Sequence, residues 1–440
     1  MELPSLLRSL RHRDYRLFLT GQLISLIGTW MDTVAESWLV YRLSHSALLL
    51  GLAAFASQIP VFVFGPLGGV LADRHDRRKI LLWTQTLSGV LAMVLAILTL
   101  THAVTIWQVI ALAAGLGLVN AVDMPTRQAF VVDLVERKDL MNAIALNSSM
   151  FNAARVVGPA VAGLLVAGVG EGWCFFANAV SYIAVIIGLA MIRSRQRTGH
   201  GSGTSAVHQL KEAFRFVVHE RPILVLLLLL AVVSLAGMAY SVLMPIFADE
   251  ILNGGPRGLG LLMGSAGVGA LGGAVTLAMK REIDGLGRWI TLGATGFGAA
   301  LIVFGQSRLL WLSCVVMLVA GYAMMVQMSS LNTVIQSMVP DRLRGRIMAI
   351  YTATFMGMAP LGALLSGTLA HRIGAPLTVG LGGAICMLAG VGFGLVRPIL
   401  RPHARRLLVA QQVEAAPSVL GSGELVIPSD PAHLRARKGD

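Results

Sequence analysis

The sequence predicts an all-α membrane protein, with twelve transmembrane helices arranged as two six-helix parallel repeats. Of 440 residues, 55% are hydrophobic and only 13% charged, and the mean hydropathy is +0.74, which leaves too little polar surface for a soluble globule. Twelve apolar stretches are long enough to cross a bilayer, which takes roughly 20 residues for about 30 Å of hydrocarbon. The two halves of the chain also match each other at a constant offset of 204 residues.

The spans fall at 17–41, 48–71, 80–100, 106–127, 140–168 and 173–193, then at 222–247, 258–279, 289–306, 309–338, 347–369 and 376–396. An even number puts both termini on one side. If Met1 is cytoplasmic, 29 of the 35 Lys and Arg lie in cytoplasmic segments, and only Arg42, Arg257, Arg308 and Arg372 lie opposite. Arg127 and Arg155 lie in or at the edge of spans. This positive-inside bias accounts for the net charge of +13 without a nucleic-acid partner. The apolar run from Leu17 is too long for a cleaved signal, so the first span is expected to stay. Cys174, Cys314 and Cys386 are far apart within apolar spans, and neither a disulfide framework nor a metal site is expected of them.

In domain terms, residues 1–193 form the first six-helix half and 222–396 the second. Between them, 194–221 is a linker, flexible at Gly199 to Ser205 and then amphipathic, with Leu210, Phe214, Val217 and Val218 at helical spacing. Residues 397–440 read as a polar, disordered tail. The repeat shows in Leu67-Gly68-Gly69 against Leu271-Gly272-Gly273. It shows again in Val135, Ala145, Phe151, Gly158 and Gly163 against Val339, Ala349, Phe355, Gly362 and Gly367. A parallel six-plus-six plan is that of carriers whose substrate site lies between two rocking halves.

Between the second and third spans lies the basic loop Gly69-Val70-Leu71-Ala72-Asp73-Arg74-His75-Asp76-Arg77-Arg78-Lys79. It resembles the signature loop of the major facilitator superfamily, a resemblance that covers about residues 10 to 400. Asp76 stands where the common form has Gly, and with Arg77-Arg78-Lys79 it resembles the branch of enterobactin-type siderophore exporters and macrolide-efflux-like proteins. The resemblance implies that Gly69, Asp73, Arg74, Arg77 and Arg78 form a cytoplasmic latch. Asp73 would then be drawn to the start of the eleventh span, where Arg342, Arg344 and Arg346 lie. Gly158-Pro159-Ala160-Val161-Ala162-Gly163 is similar to the superfamily's antiporter motif, with Ala162 in place of a Gly; Gly158, Pro159 and Gly163 permit close helix contact and a bend.

Ionisable groups inside spans are costly and usually functional. Asp32 lies roughly 22 Å along its span, at 1.5 Å per residue, with Glu36 one turn later on the same face. Two carboxylates so placed repel when both are charged, which suits a site that takes up and returns a proton. Arg155 lies roughly 20 Å inside the fifth span, and Asp32, Asp123 or an anionic substrate could be its partner. Asp123 and Arg127, one turn apart, form an expected pair. The second half lacks buried charge; Gln327, Met328 and Asn332 are its substrate-cavity candidates, within an apolar wall that includes Met324 and Met325. Gly267-Val268-Gly269-Ala270-Leu271-Gly272 fits a dinucleotide fingerprint but lies inside an apolar span, where it reads as helix packing.

The expected function is secondary active transport, with proton-coupled export of a drug-like compound or siderophore-type metabolite by alternating access. Asp32, Glu36, Asp123, Arg127 and Arg155 are the coupling candidates. The expected partners are a small organic substrate, protons and the bilayer of a bacterial inner membrane, for a monomer with no cofactor, no metal and no enzymatic activity. Import or uniport of a sugar or organic acid, and a non-transporting sensor or scaffold, stay open as alternatives.

Overall fold

The computed structural model describes residues 5–192, 206–280 and 285–415. The Gly199 to Ser205 stretch, Arg281 to Asp284 and residues 416–440 lie outside the described residues. Those described are helical, with no strand among them. The first half comprises α1 (Arg13–Ser44), α2 (Ala47–Arg74), α3 (Arg77–Leu100), α4 (Ile106–Leu134), α5 (Leu140–Val169) and α6 (Glu171–Met191). A linker helix follows, α7 (Ala206–His219). The second half comprises α8 (Arg221–Gly237), α9 (Ala239–Ile246), α10 (Gly255–Met279), α11 (Leu286–Gln306), α12 (Leu310–Met338), α13 (Asp341–Ile373) and α14 (Ala375–Ala415).

Eleven spans are long and apolar enough to cross a membrane by length and composition. The twelfth is α1, whose 32 residues carry Asp14, Asp32 and Glu36. The seventh span is broken into α8, α9 and a π turn over Phe247–Ile251. Pro245 removes a backbone donor from this span, and Gly237 sits just before the break.

The repeat is visible in the element boundaries. Helices α4 and α12 begin and end 204 residues apart, and α6 and α14 begin 204 apart. Each of these last two helices follows a left-handed glycine turn, Gly170 at φ 93° and Gly374 at φ 86°, a backbone conformation that a side chain would strain. α14 continues to Ala415, past the span end expected near 396. α7 forms where amphipathicity placed it, and of its described face Ala213 and Val217 are buried whereas Phe214 and Val218 stay exposed.

Glycine contacts bring the halves together on the face opposite the basic loops. A Cβ on Gly163 of α5 would lie 2.9 Å from the Cα of Gly260 in α10, and one on Gly367 of α13 would lie 2.9 Å from the Cα of Gly51 in α2. Contact persists to mid-span, where Gly357 of α13 faces Phe62 of α2 and Gly267 of α10 faces the Arg155 carbonyl. At the basic ends of α2 and α13 it ceases, because Cβ atoms on Gly69 and Gly345 would meet nothing within 4 Å. The molecule is closed on one face and splayed on the basic one.

Candidate functional site

A cavity of about 480 Å³ lies between the halves. The first half supplies its charge. Asp32 and Glu36 face it from α1, and Arg155 from α5. The break after α8 turns Met238, Tyr240 and Ser241 into the opposite wall, where Met244, Met263 and Met324 join them. Thioether side chains adapt to varied apolar shapes, so this wall selects weakly while the carboxylates and guanidinium fix orientation.

Asp32 is only 6% exposed, and its Oδ1 has no hydrogen-bond partner among the described residues. Asn178 of α6 lies beside it. An ionised carboxylate in this setting lacks the compensation that burial requires. The Asp32–Arg155 pair considered from sequence is not made. Instead the Arg155 guanidinium lies over the Trp30 ring, 5.9 Å from its centroid, a cation–π arrangement. The cause is local, since a Cβ on Gly158 would lie 2.4 Å from the Trp30 Cβ. Without one, the indole fits between α1 and α5 and intercepts the cation. Phe151 holds it there edge to face, centroids 5.6 Å apart. Gly158 thus positions Trp30, Pro159 lines the cavity, and Gly163 seals against Gly260.

Asp123 and Arg127 pair at 3.5 Å as expected, but not on the cavity. Asp123 is buried, accepting from Thr84 Oγ1 at 2.7 Å and Gln85 Nε2 at 2.8 Å, while Arg127 donates to Gln22 at 3.1 Å. These bonds tie α1, α3 and α4 together inside the first half. The second-half candidates lie elsewhere too. Gln327, the repeat counterpart of Asp123, is fully buried, with neither side-chain polar atom bonded among the described residues. Met328 lines a separate, smaller void with Met324 and Phe297. Asn332 accepts from Gln336 at 2.5 Å. Met324 reaches the cavity, whereas Gln327 turns toward α11, where a Cβ on Gly293 would lie 2.8 Å from the Gln327 Cβ.

The latch residues are apart from their expected partners. The Asp73 side chain is 75% exposed and meets Arg77 at 3.3 Å, while Arg77 also donates to Asp133 at 2.9 Å. Arg78 donates to the carbonyls of Leu189 and Ala190, each at 2.6 Å, capping α6. Arg74 is exposed. Asp76 caps α3, accepting from the backbone of Arg78 at 2.9 Å and Lys79 at 3.2 Å, a task for which Gly has no side chain. Across the molecule, Arg342 and Arg346 both bind Glu212 of α7, and Arg344 pairs with Asp341 at 2.6 Å. The splayed basic face separates Asp73 from these arginines.

On the closed face Tyr41 of α1 donates to Asp249 at 3.1 Å and Glu250 at 2.9 Å, joining the halves. Neither this tether nor the Glu212 contact was apparent from sequence, because spacing does not show which loops meet. Of the four sealing glycines, Gly163 was singled out from sequence as a place of close helix contact; Gly51, Gly260 and Gly367 were not, because 49 glycines occur along the chain and spacing does not show which of them meet the other half.

Residues 5–417 match the family model described as transmembrane secretion effector. The chain belongs to this major facilitator family. It is a secondary transporter, not an enzyme. It is 25% identical over 375 residues to the staphyloferrin A transporter of Staphylococcus aureus, covering 84% of this chain and 93% of that one. To the enterobactin exporter EntS of Shigella boydii serotype 4 it is 26% identical over 389 residues, covering 88% and 90%. The fold is that of a bacterial homologue of the human lysosomal transporter Spinster, solved inward-facing and unoccupied. The TM-score is 0.62 over 93% of this chain and 99% of that chain, at 16% identity. Asp76 and its basic neighbours therefore pointed to the right branch.

Proposed function

We propose that this transporter exports an organic solute, of siderophore type or drug-like, in exchange for protons, working as a monomer with its basic face in the cytoplasm. The observation that carries the reading is the division of the central cavity: Asp32, Glu36 and Arg155 on one wall, methionines on the other. Asp32 and Glu36 exchange a proton with whichever side the cavity faces. Arg155, held on Trp30 and not spent on either acid, takes an anionic or polar group of the solute. Donor groups of the solute bind Asp32 in its charged form, so a proton taken up by Asp32 displaces them, and proton uptake and solute release proceed on the same opening of the far face. Exporters and transporters of siderophores among the relatives support the solute class.

The test uses proteoliposomes with Asp32→Asn and Glu36→Gln, assayed with a panel of siderophores and lipophilic dyes. Solute exchange without a gradient should persist in Asp32→Asn, whereas transport driven by a pH gradient should be lost. Unchanged pH-driven transport would remove Asp32 from the scheme. In whole cells, collapsing the proton gradient should raise internal solute; a fall would mean import.

A further inference from the structure

A second cavity, of about 610 Å³, opens at the basic end of the second half between α8, α11, α12 and α14. Its floor is apolar, with Ile290, Val334, Met338 and Phe393, and Arg288, Arg397 and Arg401 stand around it. The repeat shows why this space exists. At the 204-residue offset, Pro222, Gly285 and Val334 occupy the places of Phe18, Leu81 and Phe130 in the first half. Those three are buried at 2%, 0% and 3% exposure in one cluster, the two phenylalanine rings packed edge to face 5.8 Å apart. Two aromatic rings and a leucine have become proline, valine and glycine. The volume they fill in one half stays open in the other.

The chemistry of the opening also departs from its counterpart. Arg288 stands where the first half has buried Thr84. The stem of Arg397 lies against Gly287, where a Cβ would come within 3.1 Å of its Cδ. Beside them Lys280 lies over the Trp289 ring, 5.1 Å from its centroid, the Trp and cation pairing typical of the headgroup level. None of the three arginines makes an ion pair among the described residues. On α14, next to the cavity, Leu395 and Ile399 are 74% and 70% exposed, so this edge meets hydrocarbon.

We infer that this cavity is a binding site for an anionic phospholipid. Its phosphate is held by Arg288, Arg397 and Arg401, and an acyl chain lies over Val334, Met338 and Phe393. A soluble anion would leave the apolar floor uncovered, and a zwitterionic lipid would leave excess positive charge; an anionic lipid satisfies both.

The test is native mass spectrometry of the intact, detergent-purified transporter with phosphatidylglycerol or phosphatidylcholine of the same chains. Wild type should retain phosphatidylglycerol preferentially. The Arg288→Gln, Arg397→Gln, Arg401→Gln triple variant should bind it about a hundredfold more weakly, equivalent to roughly 1 kcal/mol per arginine. Val334→Phe, which restores the first-half residue and alters no charge, should also lose the lipid, and it carries the test if the triple variant does not fold. Equal retention of phosphatidylcholine, or wild-type retention in Val334→Phe, would overturn the proposal. So would binding of inorganic phosphate alone as tightly as the lipid, which would mark a soluble-anion site.

Discussion

Arg346 of α13 donates to Glu212 of the linker helix across 2.7 Å, and Arg342 binds the same carboxylate. In this open state α7 therefore holds two of the basic groups that Asp73 would need to close the basic face.

Glu212→Gln should release them and raise the share of molecules closed at the basic end. Asp73→Asn should do the reverse. Electron–electron distances between spin labels at Val70→Cys and Gly345→Cys would report both, since Val70 is exposed and position 345 is open space. Arg342 and Arg346 hold the Glu212 carboxyl below its ordinary 4.5. A lowered carboxylate keeps its contact above the ordinary value and loses it only as pH falls through the lowered one, so the distances should be flat from pH 6 to 8.

Gly163→Val and Gly260→Val should force α5 and α10 apart, because even a Cβ at these positions comes within 3 Å of the opposing backbone. Overpacking of this kind costs about 1–3 kcal/mol. Reduced thermal stability with increased thiol labelling of Val166→Cys, a position only 7% exposed near the same end of α5, would bear it out; unchanged labelling would show that the seal lies elsewhere.

Tyr41→Phe removes the donor shared by Asp249 and Glu250 and leaves two carboxylates unanswered across the halves. Loss of a hydrogen bond to a charged group costs about 1.5–3 kcal/mol. The closed face should loosen, seen as faster deuterium uptake around 247–252, with α4 unaffected.

Asp123→Asn keeps an oxygen for Thr84 and Gln85 and so should lower stability less than Asp123→Ala, with pH-driven transport retained in both folded variants. Loss of that drive in Asp123→Asn at normal stability would return Asp123 to the coupling set.

Twelve spans and the duplication were legible because hydrocarbon imposes length and composition on every helix, and a shared offset survives where individual matches do not. The positions of Asp32, Glu36 and Arg155 on the cavity were legible because charge within a span has few places to go. Azimuth was less so: Asp123 and Gln327 look cavity-facing along the chain, yet each turns toward its own half. The break after α8 was hidden in an unbroken apolar run, and the Trp30 shelf under Arg155 depends on a missing Cβ at Gly158 that gains meaning only once α1 and α5 are in contact.

The seal on the far face is backbone against backbone, with Gly51, Gly163, Gly260 and Gly367 at its centre. At these four positions the closure has no side chain to rotate, so beneath the Tyr41 tether it cannot flicker open one residue at a time. It parts only when whole helices move, and that insulates the electrochemical gradient between turnovers against stray leakage of ions.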